Sequence, residues 1–69
     1  MGLDDTLRQE ISTKARDLKT RLVQEYNEVT DRDMDEVGDD ADAIVDKVQQ
    51  KTGQSRDKVE ERVRELVKS

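Results

Sequence analysis

Apolar residues recur every three or four positions along the first half of this 69-residue chain. In order they are Leu3, Leu7, Ile11, Ala15, Leu18, Leu22, Tyr26 and Val29. At about 100° per residue these positions stay within one arc of a helical wheel, while charged residues such as Arg8 and Arg16 point elsewhere. A disordered chain has no reason to keep that phase over so many turns. The spacing therefore predicts one long helix from near residue 4 to near residue 26.

A short second helix is predicted directly after this stretch. Thr30 is a suitable N-cap, and the acids that follow it would meet the positive end of the helix dipole. Met34 and Val37 form its inner face, and Gly38 then interrupts the pattern.

Two medium helices complete the predicted plan. Asp39 or Asp40 can cap the third helix, Gly53 can end it, and Ser55 can cap the fourth. Their apolar faces are Ala41, Ile44, Val45 and Val48, then Val59, Val63, Leu66 and Val67. The sequence thus predicts a single all-α domain over 1–69, built from one long, one short and two medium helices, with residues 1–3 and 68–69 frayed.

The composition predicts a fold of low stability. Hydrophobic residues make up 30% of the chain and charged residues 45%, and Phe, Trp, His, Cys and Pro are absent. A core this small is expected to give a net stability on the order of 3–5 kcal/mol at best. Because low hydrophobicity with high charge is also typical of disordered proteins, a marginally folded hydrophilic protectant is an alternative interpretation.

The net charge of the chain is −5, and the acidic and basic residues are unevenly distributed along it. Residues 31–46 contain eight acids and only Arg32, whereas residues 47–69 contain seven bases and four acids. This arrangement favours either internal complementarity or head-to-tail contact between copies. Self-association or binding of a protein partner would stabilise such a fold further. The absence of cysteine suits a reducing compartment, no apolar run approaches membrane-spanning length and no signal peptide is visible, so we expect a cytoplasmic protein without a membrane partner.

The acidic middle invites comparison with a calcium loop. Asp31, Asp33, Asp35, Asp39 and Asp42 fall at positions 1, 3, 5, 9 and 12 of an EF-hand-like pattern. However, Glu36 stands where the sharp turn requires glycine, and position 12 is an Asp instead of a bidentate Glu. We therefore predict helix-starting carboxylates and a solvated acidic face, with no metal-binding residue.

Residues 41–67 suggest a second alternative, a helix-turn-helix-like module that binds nucleic acid. Its last helix carries four bases, Arg56, Lys58, Arg62 and Arg64. Four acids in the same helix offset most of that charge, and phosphate contacts supply most of the non-specific affinity for DNA. Gln49 and Gln54 also occupy positions that are usually small or apolar in such modules. The sequence therefore argues against nucleic acid as the partner.

Chemistry-bearing residues are scarce. Without His or Cys, the hydroxyls of Ser12, Thr13, Thr20 and Ser55 have no usual activating base, and no glycine-rich phosphate loop is present. A raised carboxyl pKa needs a pocket that so small a bundle has little volume to build. We predict no catalytic residue, no cofactor and no enzymatic activity.

Read as a whole, the chain resembles the CsbD-like family of small bacterial stress proteins. The first matching segment is Thr30-Asp31-Arg32-Asp33-Met34, and the second is Asp42-Ala43-Ile44-Val45-Asp46-Lys47-Val48-Gln49. The remaining characteristic positions of the family pattern align with this sequence without a gap. They are Gly53, Ser55, Val59, Val63 and Leu66, and upstream Ile11, Leu18, Lys19, Leu22 and Tyr26. The resemblance covers roughly residues 11–66.

The chain also departs from the family pattern. Ala15 and Tyr26 stand where the family usually has Trp, and Thr13, Thr20 and Asn27 stand where it has glycine. A later family glycine is Asp39 or Asp46 here. The resemblance implies a small antiparallel helical bundle, cytoplasmic and made in response to general or envelope stress. It brings no established activity and no catalytic or binding residues.

Overall fold

A computed structural model describes residues 3–68 of the chain. Over that range the protein is all-helical, with five helices and no strand. They are α1 (Asp5–Thr13), α2 (Ala15–Glu25), α3 (Asp31–Val37), α4 (Ala41–Thr52) and α5 (Arg56–Lys68). The Cα radius of gyration is 10.5 Å. This is close to the roughly 11 Å expected for a folded chain of this length, so the helices pack against one another.

The predicted long helix over residues 4–26 is divided in two at Lys14. The backbone of Lys14 leaves helical geometry, with φ −105° and ψ 17°, although its N–H still donates to the carbonyl of Glu10 at 2.9 Å. Ile11 before the break and Ala15 after it are both buried. Apolar spacing could not reveal the interruption, because a one-residue break leaves the apolar residues on the same side of the chain.

Helix ends follow the predicted caps. Thr30 and Asp33 form a reciprocal capping box at the start of α3, in which each side chain accepts from the other's backbone N–H. Asp40, and not Asp39, caps α4, since its carboxylate accepts from the amides of Asp42 at 3.0 Å and Ala43 at 3.3 Å. Gly53 ends α4 in the left-handed conformation, with φ +74°. The side-chain oxygens of Thr30 and Asp40 therefore accept hydrogen bonds from amides that a helix leaves unpaired in its first turn.

The core is aliphatic apart from one methionine, and all five helices contribute to it. Both α2 and α4 contact α1, α3 and α5, but they make little contact with each other. Its buried members are Leu3, Leu7, Ile11, Ala15, Leu18, Leu22, Val29, Met34, Ala41, Ile44, Val45, Val48, Val59, Val63 and Val67. The predicted inward faces are thus confirmed, except that three of their residues are only half-buried. These are Tyr26, Val37 and Leu66, whereas Val67 is buried.

The two ends of the described range are helical or packed. Leu3 is buried against the core, and α5 continues to Lys68. The other residues predicted to fray, Met1, Gly2 and Ser69, lie outside the described residues. Within residues 3–68, no helix combines the length and the apolar character that crossing a bilayer requires.

Candidate functional site

Three carboxylates of the calcium-loop pattern, those of Asp33, Asp39 and Asp42, serve a helix cap or ion pairs. Asp31, Asp33 and Asp35 lie in α3, so this part of the pattern is helical and does not form a loop. Asp33 belongs to the capping box, and Asp42 in α4 pairs with two arginines. Among residues 3–68, no group of three or more His, Cys, Asp or Glu side chains is arranged to hold a metal ion.

Arg56 is the centre of the largest charged cluster. Its Nη2 lies 3.0 Å from Oδ1 of Asp42, its Nε donates to Oε2 of Glu60 at 3.0 Å, and its Nη1 pairs with Asp46. Arg8 of α1 pairs with the other oxygen of Asp42. The arginine cluster, defined by these five residues, therefore connects α1, α4 and α5.

The pairing in this cluster changes the acidity of Arg56. Hydrogen bonds to Glu60 and Asp46 raise the pKa of its guanidinium, and they outweigh the opposing effect of burial. Glu60 is buried, with a side chain that is 6% exposed. Because a buried carboxylate is costly unless it is paired, the contact with Arg56 explains how α5 tolerates this residue in its packed face.

Arg62 forms the second strong pair of α5, with Glu25 at the end of α2. Nε and Nη2 of the guanidinium reach the two carboxylate oxygens, which is the bidentate geometry that arginine favours. The hydrogen bonds from Arg62 lower the pKa of Glu25, and burial opposes them without cancelling them. The same contact raises the pKa of Arg62. This pair joins α2 to α5 from outside the core.

These pairs bear directly on the helix-turn-helix interpretation. The structure does place α4 and α5 on either side of a short turn at Gly53, Gln54 and Ser55. However, Arg56 and Arg62, two of the four bases considered for phosphate contact, already bind carboxylates of the same chain. Lys58 and Arg64 are exposed. The positive charge available to a polyanion on α5 is therefore smaller than the sequence suggests.

Three lysines of the neighbouring helices contact α3: Lys19 of α2, and Lys47 and Lys51 of α4. We refer to these three residues, none of which lies in α3 itself, as the α3 lysines. From α2, Nζ of Lys19 donates to the carbonyl oxygen of Gly38 at 2.9 Å and lies 3.5 Å from that of Met34. From α4, Lys47 pairs with Glu36 at 3.1 Å and Lys51 with Asp33 at 3.5 Å. Lys19 thus satisfies carbonyls at the end of α3, where a cation is also favoured by the helix dipole.

Three of the four hydroxyls considered for catalysis have structural contacts. Ser12 donates to the carbonyl of Asp39 at 3.0 Å, and Thr20 to that of Arg16 at 3.1 Å. Ser55 accepts from the amide of Lys58 at 3.3 Å, in the capping role predicted for it. Thr13 is the last residue of α1 and lines a surface depression of about 450 Å³.

A surface depression of about 480 Å³ lies between α2 and α3. Arg16 and Thr20 line it from α2, and Asp31, Met34 and Asp35 line it from α3. Both signs of charge are present in its lining, and Met34 is the apolar residue among them. Its lining contains no imidazole or thiol, since the chain has none.

Sequence reasoning missed the arginine cluster, the Glu25–Arg62 pair and the role of the α3 lysines. The contacts in these three groups join residues that are at least ten positions apart in the sequence. The one exception is the contact between Arg56 and Glu60, which are four positions apart. That i,i+4 spacing was the only local signal of these contacts. The charge imbalance between the middle and the end of the chain did indicate internal complementarity.

Comparisons with known proteins give no relative from which a role could be transferred: no protein-family model matches the chain, and no match is found among curated proteins or among solved structures.

Proposed function

We propose that this protein is a non-enzymatic, stress-associated helical protein that acts through its charged surface, by interaction or by protective solvation. The observation that supports this most is the use of the apolar stripe in the protein's own core. What remains at the surface is mainly charge, so contacts with other molecules would be polar. The resemblance to CsbD-like proteins supplies the association with stress, and it also suggests a cytoplasmic location.

The proposal extends to the arrangement of the helices as an antiparallel bundle. Two contacts between α2 and α5 support it. Lys14, at the start of α2, donates to the carbonyl of Val67 near the end of α5 at 3.1 Å. Glu25, at the end of α2, pairs with Arg62 earlier in α5. These contacts are consistent with two helices that run in opposite directions.

A deletion strain and an expression profile test the stress association. We expect the protein to accumulate under stress and its loss to reduce survival under the same condition. Constitutive synthesis together with unimpaired survival of the deletion strain would contradict the proposal. A pull-down from stressed cells, with a matched pull-down from unstressed cells as control, would identify a protein partner if interaction is the mechanism.

Self-association is part of the same proposal and has a separate test. The half-buried apolar side chains Val23, Tyr26, Val37 and Leu66 are the ones that the core leaves partly open. Sedimentation over a range of concentrations separates a monomer from an oligomer. A mass of 8.0 kDa at every concentration would exclude self-association as the mode of action.

Nucleic-acid binding is retained as the second candidate because of the α4–turn–α5 geometry. A gel-retardation assay at low and at physiological salt tests it, since phosphate contacts weaken steeply as salt rises. If α5 contacts the phosphates of the nucleic acid, replacing both Lys58 and Arg64 by Gln should abolish any retardation. Retardation that persists at physiological salt and depends on these two residues would favour this candidate over the proposal.

The third candidate is a hydrophilic protectant that is only marginally folded when free. Far-UV dichroism and amide dispersion of the free protein decide between this candidate and a folded bundle. A folded bundle gives helical dichroism and a cooperative urea transition, whereas a marginally folded chain gains helix only on drying, crowding or binding.

A further inference from the structure

Helix α3 is held to the protein differently from the other four helices. It has seven residues and buries one apolar side chain, that of Met34. The other helices bury from two to four apolar side chains each. Burial of apolar area is the main source of packing free energy, so α3 receives the smallest share of it.

Polar contacts compensate for this weak packing. The segment over residues 31–37 carries four acids and Arg32. The α3 lysines approach it from two sides: Lys51 contacts its start, and both Lys47 and Lys19 contact its end. Lys51 and the Glu36 partner of Lys47 are well exposed to solvent, so these ion pairs are individually weak.

The connections on either side of α3 would permit it to move as a unit. A non-helical segment over residues 26–30 precedes it, in which Val29 stays buried in the core and only Thr30 lies between Val29 and α3. Gly38 follows α3 with φ +59° and ψ −138°. Gly38 begins the exposed connection over residues 38–40 that leads to α4, and glycine has the widest range of backbone conformations. The two neighbours that α3 covers, α2 and α4, contact other helices as well.

From these contacts we propose that α3 is a lysine-latched lid, which opens as a unit while α1, α2, α4 and α5 stay packed. Opening breaks the contacts of the three α3 lysines, withdraws Met34 from the core and bares the apolar surface of α2 and α4 beneath it. Proteins open in such cooperative units, and the least buried unit opens at the lowest cost. The inference rests on the contacts of α3 alone and does not depend on the proposed function.

Amide hydrogen exchange of the unmodified protein tests the lid directly. The amide of Met34 donates to the carbonyl of Thr30 at 3.2 Å, and it reports on α3. We expect the α3 amides to exchange at least about 10-fold faster than those of Val48 and Val63, with a weaker dependence on low concentrations of urea. Equal exchange and equal urea dependence in α3, α4 and α5 would overturn the proposal, because the helices would then open only together.

The latch is tested by Lys47→Met combined with Lys51→Met, which keeps long side chains and removes both charges. We expect exchange in α3 to accelerate by about 3-fold or more, while exchange at Val63 stays the same. The control is Lys58→Met, an exposed lysine of α5 outside these contacts, which should leave α3 unchanged. Acceleration that is uniform over all helices, or equal in the control, would contradict the role of the lysines.

Discussion

Nε of Arg56 donates a 3.0 Å hydrogen bond to Oε2 of Glu60, one helical turn further along α5, and this contact pairs a carboxylate that is almost fully buried. Glu60 would otherwise face the packed side of its helix without a partner. The same guanidinium reaches Asp42 and Asp46 in α4. One arginine therefore stabilises a buried charge and joins the two helices of the α4–α5 pair.

Replacing Arg56 by Met should destabilise the protein by about 1–2 kcal/mol, because Glu60 is left buried without its hydrogen bond. The estimate stays below that for a fully buried pair, since Arg56 itself is 38% exposed. Urea denaturation followed by far-UV dichroism measures the change. Arg64→Met, on the exposed face of the same helix, is the matched control and should change stability by less than about 0.5 kcal/mol. Adding Glu60→Gln to Arg56→Met should recover part of the loss.

Acid should remove stability through Asp33 and Glu25. Burial raises the pKa of Asp33, but hydrogen bonding by Thr30 and the charge of Lys51 outweigh it, so the pKa lies below its ordinary value of 3.8. Hydrogen bonds from Arg62 lower the pKa of Glu25 from 4.5. A carboxyl whose pKa is lowered by folding contributes stability that is fully present above its unfolded pKa and is lost as pH falls through the folded value.

The contribution of these two carboxylates to the free energy of unfolding should therefore be constant near neutral pH and should decrease below about pH 4. A series of urea transitions from pH 7 to pH 2.5 measures the decrease, and a carboxyl NMR titration locates the two groups. Asp33→Asn should be less stable at pH 7 and show a smaller loss on acidification. An Asp33 carboxyl that titrates above 3.8 would contradict the assignment.

Tryptophan should be tolerated at residue 26 and not at residue 15. Ala15 is 2% exposed in a core that is already closed, whereas Tyr26 is half-buried. Ala15→Trp should cost on the order of 1–3 kcal/mol or more, because overpacking forces neighbours out of place. Tyr26→Trp should stay within about 1 kcal/mol of the parent. Equal stability of the two variants in urea would show that the core can expand around Ala15.

The two positive-φ glycines should respond differently to substitution. An added Cβ would meet no atom within 4 Å at either Gly38 or Gly53, so the cost is one of backbone conformation alone. Gly53 is in the left-handed helical region that Asn also adopts, and Gly53→Asn should cost less than about 1 kcal/mol. Gly38→Asn should cost about 1–3 kcal/mol, because φ +59° with ψ −138° lies outside that region. Urea transitions of the two variants give the comparison.

The helices and their inward faces could be read from local patterns. Spacing placed Ile44 and Val63 in the core, and side-chain chemistry placed the caps at Thr30 and Gly53. Such features depend on residues three or four positions apart, which are neighbours in any helix. The break at Lys14 could not be read, because the apolar phase on both sides of it is the same.

The charged contacts that could carry a function were much harder to predict. Glu25 and Arg62 are 37 positions apart, and nothing in either neighbourhood indicates the other. By contrast, the sequence already favoured a helix start over a calcium loop for the acids of residues 31–35, and the capping box of Thr30 and Asp33 agrees with that prediction because it depends on residues three positions apart. Ion pairs follow from how the helices pack, and packing is a long-range property.

The sequence by itself determined that this chain forms helices with one aliphatic face each, and that it lacks imidazole and thiol chemistry. Only the tertiary structure decided which charges are committed inside the fold, such as Arg56 and Arg62, and that three lysines hold α3 in place. The physical reason is that periodicity and composition act within a few residues of the chain, whereas the fate of a charge depends on which distant helix lies next to it.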